Sequence, residues 1–329
     1  MKLWLNRQLK KILRVLAKAT VKKYRPGVIG ITGSVGKTST KEAIYTVLRN
    51  FRRTRTSFGN FNNELGVPLT ILGSWQKISG PFFWLKVIVT GVRNLLARTD
   101  YPEVLVLEYA ADRPEDIDYL IEIVRPQIAV ITAIGEIPVH VEFYSGPEAV
   151  AAEKSKLIKA LPAAGFAALN FDDQAVLDMK QYANVPIFTF GFGEGAQVRI
   201  THFANRTDQG KPAGIIFNLE HGEMAVAVRI DNAFGKAQAY AAAAAACVGL
   251  GFGLNLNRIA EALLYYQPPP HRMRFLMGIK ETYLIDDCYN ASPLSMHAAI
   301  DTIKNLPAKR KIVVLGDMFE LGQYTIEAH

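Results

Sequence analysis

The run from Val28 to Thr40, VIGITGSVGKTST, constrains the fold of this 329-residue chain more than any other stretch. Its apolar start predicts the end of a buried strand, its glycines predict a tight turn, and the KEAIYTVL that follows predicts a helix. A strand, a glycine turn and a helix N-terminus point backbone N–H groups at an anion, so the run predicts a phosphate-binding loop. The residues of this loop are Gly33, Ser34, Val35, Gly36, Lys37, Thr38 and Ser39.

Lys37 and Thr38 carry the chemistry of the loop. In phosphate loops of this kind the lysine reaches the β- and γ-phosphates of a nucleotide, and the hydroxyl of the next residue ligates Mg²⁺. The strict spacing requires a glycine where this chain has Ile31, and the glycine stands at Gly33 instead. The alternative is a glycine-rich turn with an ordinary lysine, but the coincidence of strand, turn and helix favours the phosphate loop.

The positive charge of the chain is concentrated at its start. The net charge is +8, yet residues 1–25 hold nine basic residues and no acidic one, so the other 304 residues carry a net charge of −1. This distribution describes a basic segment and excludes a body that binds nucleic acid. The two cysteines, Cys247 and Cys288, form no disulfide framework and indicate reduced thiols in a cytoplasmic protein.

Residues 1–25 are predicted to form a basic amphipathic helix. Such a helix can lie on an anionic membrane surface, or it can pack on the body with a solvated basic face, and the sequence leaves both open. The segment is too polar to span a bilayer or to serve as a signal peptide. A second amphipathic helix is predicted over 81–97, buried or at a membrane interface. The apolar face of the first helix holds Leu5, Leu9, Ile12, Leu13 and Leu16.

Predicted strands and helices alternate through the middle of the chain. Buried strands are predicted over 103–108, 128–134 and 166–170, and helices over 113–125 and 147–161. This alternation predicts a doubly wound α/β fold with a mostly parallel sheet. Glu108 ends one of these strands and His140 follows another. Both should therefore face the ligand crevice at the carboxyl edge of the sheet.

The flanking segments are less regular. The basic run 49–56 is predicted to end in a turn, and 60–72 to be a polar loop leading into a helix. Short alternating runs within 186–230 predict antiparallel strands appended to the sheet, and the alanine-rich stretch 236–265 predicts a packed helical pair.

The three prolines of 267–274 predict a linker and a domain boundary. Beyond it, 282–287 and 311–317 are predicted strands on either side of a helix, which is the start of a second α/β unit. Two strands are too few for an independent domain, so we expect this piece to dock on the first domain or to be cut short.

Eight features in order resemble the Mur ligases of peptidoglycan synthesis: TGSVGKTSTKE, NFNNELGVPLTIL, the Glu108 strand, the His140 segment, AAEKSKL, PHRMR, DDCYNASPLSM and GDMFELG. The resemblance covers residues 26–329. DDCYNASP and GDMFELG favour the branch that adds D-alanyl-D-alanine to UDP-N-acetylmuramoyl-tripeptide.

The resemblance implies a domain plan and a reaction. Residues 1–25 would be the basic helix, 26–270 the ATP-binding central domain and 271–329 part of the C-terminal domain. The usual N-terminal uridine-binding domain and most of the C-terminal domain are expected to be missing. The implied reaction is ATP-dependent amide bond formation through an acyl phosphate. Its substrates would be the UDP-N-acetylmuramoyl-peptide and D-alanyl-D-alanine.

The resemblance also implies residue roles. Thr38 and Glu108 match one Mg²⁺ site, His140 matches a ligand of a second, and Lys154 matches a lysine carried as a carbamate that ligates Mg²⁺. Without the motif, Lys154 would be read as a surface lysine in a salt bridge. The remaining matches are Lys37 and Arg272 for the ATP phosphates, Asp287 near the ribose, Asn290 in the same motif, and Asn62 and Asn63 for the UDP-sugar-peptide.

The chain departs from the family at one motif. The family's G-x-H-N-x-x-N run, whose asparagines approach adenine, reads GKAQAYA here. Gln238 can still serve as an adenine contact, but Ala237 and Ala241 cannot.

Three functions remain open at this stage. The first is an active ligase, cytoplasmic and held near the inner face of the membrane by its basic helix. The second is a membrane-associated nucleotide-binding protein that has lost ligase activity. The third is a sibling Mur or folylpolyglutamate-type ligase with another substrate.

Overall fold

The strand that precedes the phosphate loop lies inside a nine-stranded sheet of order β2-β3-β1-β4-β5-β6-β7-β8-β9. The computed structural model describes residues 2–80, 82–280 and 282–329, with only the backbone of 2–5. The predictions that involve Met1, Pro81 and the side chain of Leu5 therefore lie outside the described residues. The nine strands are β1 Gly27–Thr32, β2 Thr54–Thr56, β3 Val104–Glu108, β4 Ile128–Ile131, β5 Phe166–Asn170, β6 Ile187–Gly191, β7 Val198–Asp208, β8 Lys211–His221 and β9 Met224–Asp231.

The strands from β1 to β7 pair in parallel with their neighbours in the sheet, and β7, β8 and β9 pair antiparallel. Helices cover both faces, so the prediction of a doubly wound, mostly parallel sheet is confirmed. The helices are α1 Lys2–Tyr24, α2 Lys37–Leu48, α3 Gly66–Leu72, α4 Phe82–Leu96, α5 Asp116–Ile123, α6 Pro147–Lys159, α7 Gln174–Leu177, α8 Lys236–Gly251, α9 Leu256–Leu263, α10 Pro293–Lys304 and α11 Thr325–Ala328. Short 3₁₀ turns occupy Val141–Phe143, Asp178–Tyr182 and Gly322–Tyr324.

Each face of the sheet has its own core. On one face α2, α8 and α9 pack through residues such as Ile44, Ala242 and Ile259. On the other, α3, α5 and α6 pack through residues such as Val67 and Leu157. The alanines of α8 are buried on every side of the helix, which is why this helix shows no polar face. The predicted helical pair is therefore a close-packed layer.

Helix α1 packs on the body along one face. Leu13 is fully buried against Leu72 of α3 and Val87 of α4. Lys10 pairs with Glu64 at 2.6 Å, and Lys23 donates hydrogen bonds to carbonyls at the end of α4. The packed alternative therefore holds for this face, while the opposite face remains exposed. No helix in the described part of the chain is both long enough and apolar enough to cross a membrane.

Two strand predictions need correction within the main sheet. Strand β6 was predicted antiparallel, yet it runs parallel to β5, with Ala167 beside Ile187. The reason is the connection 171–186, which contains α7 and a 3₁₀ turn and carries the chain back in the same direction. The run 49–56 ends in the edge strand β2, beside Val104, rather than in a turn.

The C-terminal prediction is also partly wrong. Residues 311–317 form no strand, because they find no pairing partner in the described chain, and Val314 is 93% exposed. Instead β10 Arg274–Met277, which the sequence did not indicate, pairs antiparallel with β11 Tyr283–Asp286. This hairpin is separate from the main sheet and joins it through the buried Phe234 and Met273. A domain boundary at residue 270 stays a prediction.

Truncation of Leu13 should test the packing of α1. Leu13→Ala removes a fully buried side chain and should cost about 2–5 kcal/mol in the free energy of unfolding. The matched control is Val15→Ala on the same helix, because Val15 is 65% exposed and its loss should leave stability nearly unchanged. Thermal and denaturant unfolding would measure both variants. Equal small effects would show that α1 is not docked on the body.

Candidate active site

The phosphate loop joins β1 to α2 and is braced by the end of β4. Gly33 and Gly36 have φ values of 148° and 92°, and a Cβ on Gly33 would lie 2.0 Å from Oγ1 of Thr132. The backbone N–H groups of Ser34 and Val35 donate to the Ala133 carbonyl at 2.6 and 3.2 Å. The glycines therefore permit a close approach that side chains would block.

Lys37 is the first residue of α2 and folds back over the loop. Its Nζ donates hydrogen bonds to the carbonyls of Gly33 at 2.7 Å and Ser34 at 3.2 Å. Burial lowers the pKa of Lys37; Glu108 raises it, and the Arg272 cation lowers it further. The charge of the Lys37 ammonium is thus influenced by both a carboxylate and a second cation.

Glu108 ends β3 inside the crevice, and its side chain is fully buried. Its Oε1 lies 3.3 Å from Nζ of Lys41, and its Oε2 accepts a hydrogen bond of 3.4 Å from Asn62. Oε1 has no hydrogen-bond partner among the described residues, although the ion-pair distance is short. The orientation relative to Lys41, not the distance, leaves this oxygen free for another ligand.

Lys41 is a residue of the candidate site that sequence reasoning missed. It is fully buried and donates to the carbonyls of Ser57, at 2.9 Å, and Gly59. Its charge balances Glu108 and Glu42, each at 3.3 Å. The available signal was its place four residues after Lys37, one helical turn along the same face.

His140 lies between two carboxylates. Its Nε2 is 3.3 Å from Oδ1 of Asp112, and its Nδ1 is 2.5 Å from Oε2 of Glu320, in the GDMFELG segment. Burial lowers the pKa of His140, and both carboxylates oppose that shift. The structure therefore brings the C-terminal motif to the predicted second metal ligand.

Lys154 lies on α6 and is 1% exposed, so the surface salt-bridge reading is wrong. Burial, together with the Lys37 cation, lowers the pKa of Lys154 to about 7. No carboxylate among the described residues lies within ion-pair distance of its Nζ. A buried amine that is half neutral at pH 7 is a candidate for chemical modification.

Arg272 brings the linker into the site. Its guanidinium stacks 4.0 Å from the Tyr289 ring, and burial lowers its pKa while Tyr289, Asp287 and Glu108 oppose the shift. Asp287 accepts a hydrogen bond from the backbone of Met273 at 3.0 Å, and burial raises its pKa to about 6.

Three residues that the resemblance predicts to bind a ligand make hydrogen bonds within the protein. Gln238 is 1% exposed and lies behind the linker, where it donates to the Arg272 carbonyl at 3.0 Å and accepts from the Tyr266 hydroxyl at 2.7 Å. Both ends of its amide are therefore occupied by the protein, and its role at adenine stays a prediction. Asn63 caps the start of α3, and Asn290 is exposed and bonds to its own neighbour.

Two cavities are lined in part by residues at or next to the phosphate loop. The first, about 650 Å³, is lined by Gly36 of the loop, by Thr40 of α2 and by Phe203, Asn205 and Tyr240. The second, about 950 Å³, is lined by Thr38, Arg272 and Tyr289 among others. Both volumes suit small-molecule ligands. The segment that begins helix α2 thus contributes residues to both cavities.

Asn205 is a second residue that sequence reasoning missed. Its Oδ1 is buried and has no hydrogen-bond partner in the described part of the chain. It faces a cavity with the aromatic side chains of Phe203 and Tyr240, and the Tyr240 hydroxyl donates to Asp172 at 2.7 Å. Aromatic walls with one unsatisfied amide oxygen suit a planar base with an exocyclic amine.

The pKa of Lys154 leads to a stability prediction. The folded-state pKa of about 7 lies below the ordinary 10.5, so between these values the unfolded chain binds a proton that the folded chain does not. The folded state therefore gains stability from this group as pH rises from 7 to about 10. Unfolding of Lys154→Met and the unchanged chain should be compared in Mg²⁺-free, CO₂-free buffer. The stability advantage of the variant should shrink over this range; a constant difference would contradict the lowered pKa.

Comparison with known proteins gives the chain a family. The pattern of the Mur ligase middle domain matches residues 31–77 and 89–249, and that of the Mur ligase glutamate ligase domain matches 271–329. UDP-N-acetylmuramoyl-tripeptide–D-alanyl-D-alanine ligase of Mycobacterium tuberculosis is 32% identical over 92% of this chain and 54% of its own length. The Bacillus subtilis ligase of the same name is 30% identical over 94% of this chain and 60% of its own length.

Solved structures agree. MurF from Thermotoga maritima in complex with ADP has a TM-score of 0.79 and 29% identity, covering 97% of this chain and 66% of that one. MurF from Acinetobacter baumannii has a TM-score of 0.79 and 28% identity, covering 96% of this chain and 62% of that one. The chain thus spans between half and two thirds of the length of the curated relatives described above. On the middle-domain match and these structures, the chain belongs to the Mur ligase family.

Proposed function

We propose that this chain carries the active site of an ATP-dependent ligase that adds D-alanyl-D-alanine to UDP-N-acetylmuramoyl-tripeptide. The observation that carries the proposal is the buried Oε1 of Glu108 beside the phosphate loop, which accepts no hydrogen bond although Lys41 lies 3.3 Å away. A buried carboxylate oxygen that accepts no hydrogen bond is costly, and a ligand that coordinates it would offset that cost. Relatives named for this reaction support the choice of substrates.

The residues present fit ATP and Mg²⁺. Thr38 and Glu108 would offer oxygen ligands to one Mg²⁺, which is a hard ion that prefers oxygen. Lys37 and Arg272 would hold the phosphates, and the first cavity would hold the nucleoside, with Asn205 in the place predicted for Gln238. Bound Mg²⁺ would supply charge neutralisation for phosphoryl transfer, for which enzymes need positioning more than covalent help.

Lys154 would join this site as a carbamate. Its lowered pKa leaves a large neutral fraction at pH 7, and only the neutral amine attacks CO₂. The new N–C bond forms with loss of a proton to solvent, and the buried cation becomes an anion. That anion would relieve the repulsion from Lys37 and, together with His140, would offer ligands to a second Mg²⁺.

The second cavity would hold the acceptor peptide; its lining includes Asn60, which lies in the same loop as Asn62 and Asn63. The peptide carboxylate would attack the γ-phosphate to give an acyl phosphate and ADP. The amine of D-alanyl-D-alanine would then attack the acyl carbon and release phosphate. Lys37 and Arg272 would stabilise the charge that develops on the transferred group, since Lys37 folds over the phosphate loop and Arg272 lines the second cavity.

Phosphate release tests this reaction. With ATP, Mg²⁺, UDP-N-acetylmuramoyl-tripeptide and D-alanyl-D-alanine, release should need every component and should yield the pentapeptide by mass. Lys37→Ala should lower the rate at least about a hundredfold with the fold intact, because it removes a preorganised cation at the phosphates. The exposed Lys309→Ala is the matched control.

The outcomes separate the candidates. Release that does not need the dipeptide would contradict the assigned reaction and favour a sibling ligase or a hydrolase. ATP binding without any release would favour a nucleotide-binding protein that does not ligate. Unchanged turnover in Lys37→Ala would show that the phosphate-loop assignment is wrong.

We further propose that α1 and α4 rest on an anionic membrane at its cytoplasmic face, where ATP is available. Helix α4 exposes an apolar stripe, and the exposed face of α1 carries the cations Lys11, Lys18 and Lys22 beside Val15. Apolar side chains flanked by lysines are the combination that binds anionic bilayers. The residues of the stripe are Phe82, Leu85, Val89, Val92 and Leu96.

Vesicle sedimentation tests the membrane contact. Reversing Lys11, Lys18 and Lys22 to Glu should weaken binding to phosphatidylserine vesicles by about a hundredfold, since each lysine contributes about 1 kcal/mol. The control reverses the exposed Lys280, Lys309 and Arg310, which changes the net charge equally on another surface. Equal loss in both variants would mean general charge attraction, and no loss in either would exclude the contact.

A further inference from the structure

Three side chains of different chemistry converge where the linker meets the C-terminal hairpin. Nδ1 of His271 lies 2.7 Å from Oδ2 of Asp286 and 3.4 Å from Sγ of Cys288. One ligand atom from each residue lies within 4.8 Å of the other two. His271 belongs to the linker, Asp286 ends β11, and Cys288 follows two residues later. The cluster therefore joins two separate segments.

The geometry does not suit nucleophilic catalysis. In a Cys-His-Asp triad the histidine uses its two ring nitrogens for two different partners. Here the same nitrogen, Nδ1, faces both the carboxylate and the thiol. The three atoms therefore do not form a chain of hydrogen bonds for proton transfer; they lie around a common point.

The set suits a tetrahedral Zn²⁺ ion. Zinc takes sulfur at about 2.3 Å and nitrogen or carboxylate oxygen at about 2.0–2.2 Å, which places the ligand atoms roughly 3.3–3.6 Å apart. The observed nitrogen–sulfur separation of 3.4 Å already meets this value. The carboxylate must withdraw by about half an ångström from the imidazole, which the loss of their hydrogen bond allows. His271 and Cys288 are exposed, so water can complete the fourth position.

We propose that His271, Asp286 and Cys288 bind one Zn²⁺ ion that ties the linker to the end of β11. A thiolate is a soft ligand that Mg²⁺ does not favour, so this site would be distinct from the proposed Mg²⁺ sites. His271 precedes Arg272, and Asp286 and Cys288 flank Asp287. The ion would therefore fix the backbone on both sides of two residues of the candidate active site. This proposal stands independently of the ligase reaction.

Direct metal binding tests the site. The full-length chain, stripped with a chelator and kept reduced, would be titrated with Zn²⁺ against a chromophoric indicator and, separately, with Co²⁺. We expect one ion per chain, a Co²⁺ spectrum with a thiolate charge-transfer band and tetrahedral intensity, and no competition from millimolar Mg²⁺. A Co²⁺ complex without the thiolate band would overturn the proposal.

Single variants assign the ligands. Cys288→Ser, His271→Ala and Asp286→Asn should each lower the Zn²⁺ affinity at least about tenfold, a loss that even changes outside the ligand shell can cause. Cys247→Ala is the control, because Cys247 is buried in α8 away from the cluster and its loss should leave the affinity and the thiolate band unchanged. Circular dichroism would confirm that each variant is folded. Retained affinity in the folded Cys288→Ser and His271→Ala variants would mean that the ion binds elsewhere.

Discussion

The buried pair of Glu108 and Lys41 is the interaction on which the site depends. Both side chains are fully inaccessible to solvent, and the carboxylate and ammonium lie 3.3 Å apart. Removing two charges from water costs several kcal/mol for each ion, and their attraction alone does not reliably recover that cost. Lys41 recovers part of this desolvation cost by donating hydrogen bonds to the Ser57 and Gly59 carbonyls, whereas Glu108 keeps one oxygen without a hydrogen bond. The fold thus keeps a buried carboxylate oxygen without a hydrogen bond, at the expense of stability.

Strand order explains why this carboxylate meets the phosphate loop. Strand β1 lies between β3 and β4; the chain leaves β1 through α2 on one face of the sheet and enters β4 through α5 on the other face. The carboxyl ends of the three strands therefore open on one crevice, the usual ligand site of doubly wound sheets. Glu108 ends β3, the loop follows β1, and Thr132 after β4 braces the loop through the Val35 carbonyl. Glu108, the phosphate loop and Thr132 thus come from the ends of three different strands.

Sequence patterns predicted those parts of the structure that short-range interactions along the chain determine. The strand, glycine turn and helix around Lys37 were found from the sequence, because backbone geometry there depends on glycine and on short-range order. The direction of β6 was missed, because apolar alternation reports a buried face and not the direction of pairing. Residues 311–317 have strand composition, yet a strand also needs a partner.

The hydrogen-bond partners of individual side chains could not be predicted from the spacing of residues in the sequence. Gln238 stands near the motif position of an adenine contact, but its amide is consumed by the Arg272 carbonyl and the Tyr266 hydroxyl, which are distant in sequence. Asn205, on a strand of the antiparallel part of the sheet, has a free oxygen at the cavity, and no sequence motif marked it. The two amides differ in whether their polar atoms are hydrogen-bonded in the folded structure, which residue type alone does not reveal.

The cations of the candidate site are an independent argument for an anionic ligand. Burial lowers the pKa of Lys37, Lys154 and Arg272, and Lys37 is in turn affected by Arg272 and affects Lys154. Groups that repel one another in a desolvated crevice are relieved only by deprotonation or by negative charge placed among them. A polyphosphate between Lys37 and Arg272 would supply that charge, and a carbamate on Lys154 would remove a positive charge and add a negative one. Gln238 donates a hydrogen bond to the Arg272 carbonyl and so anchors the backbone that carries this linker cation.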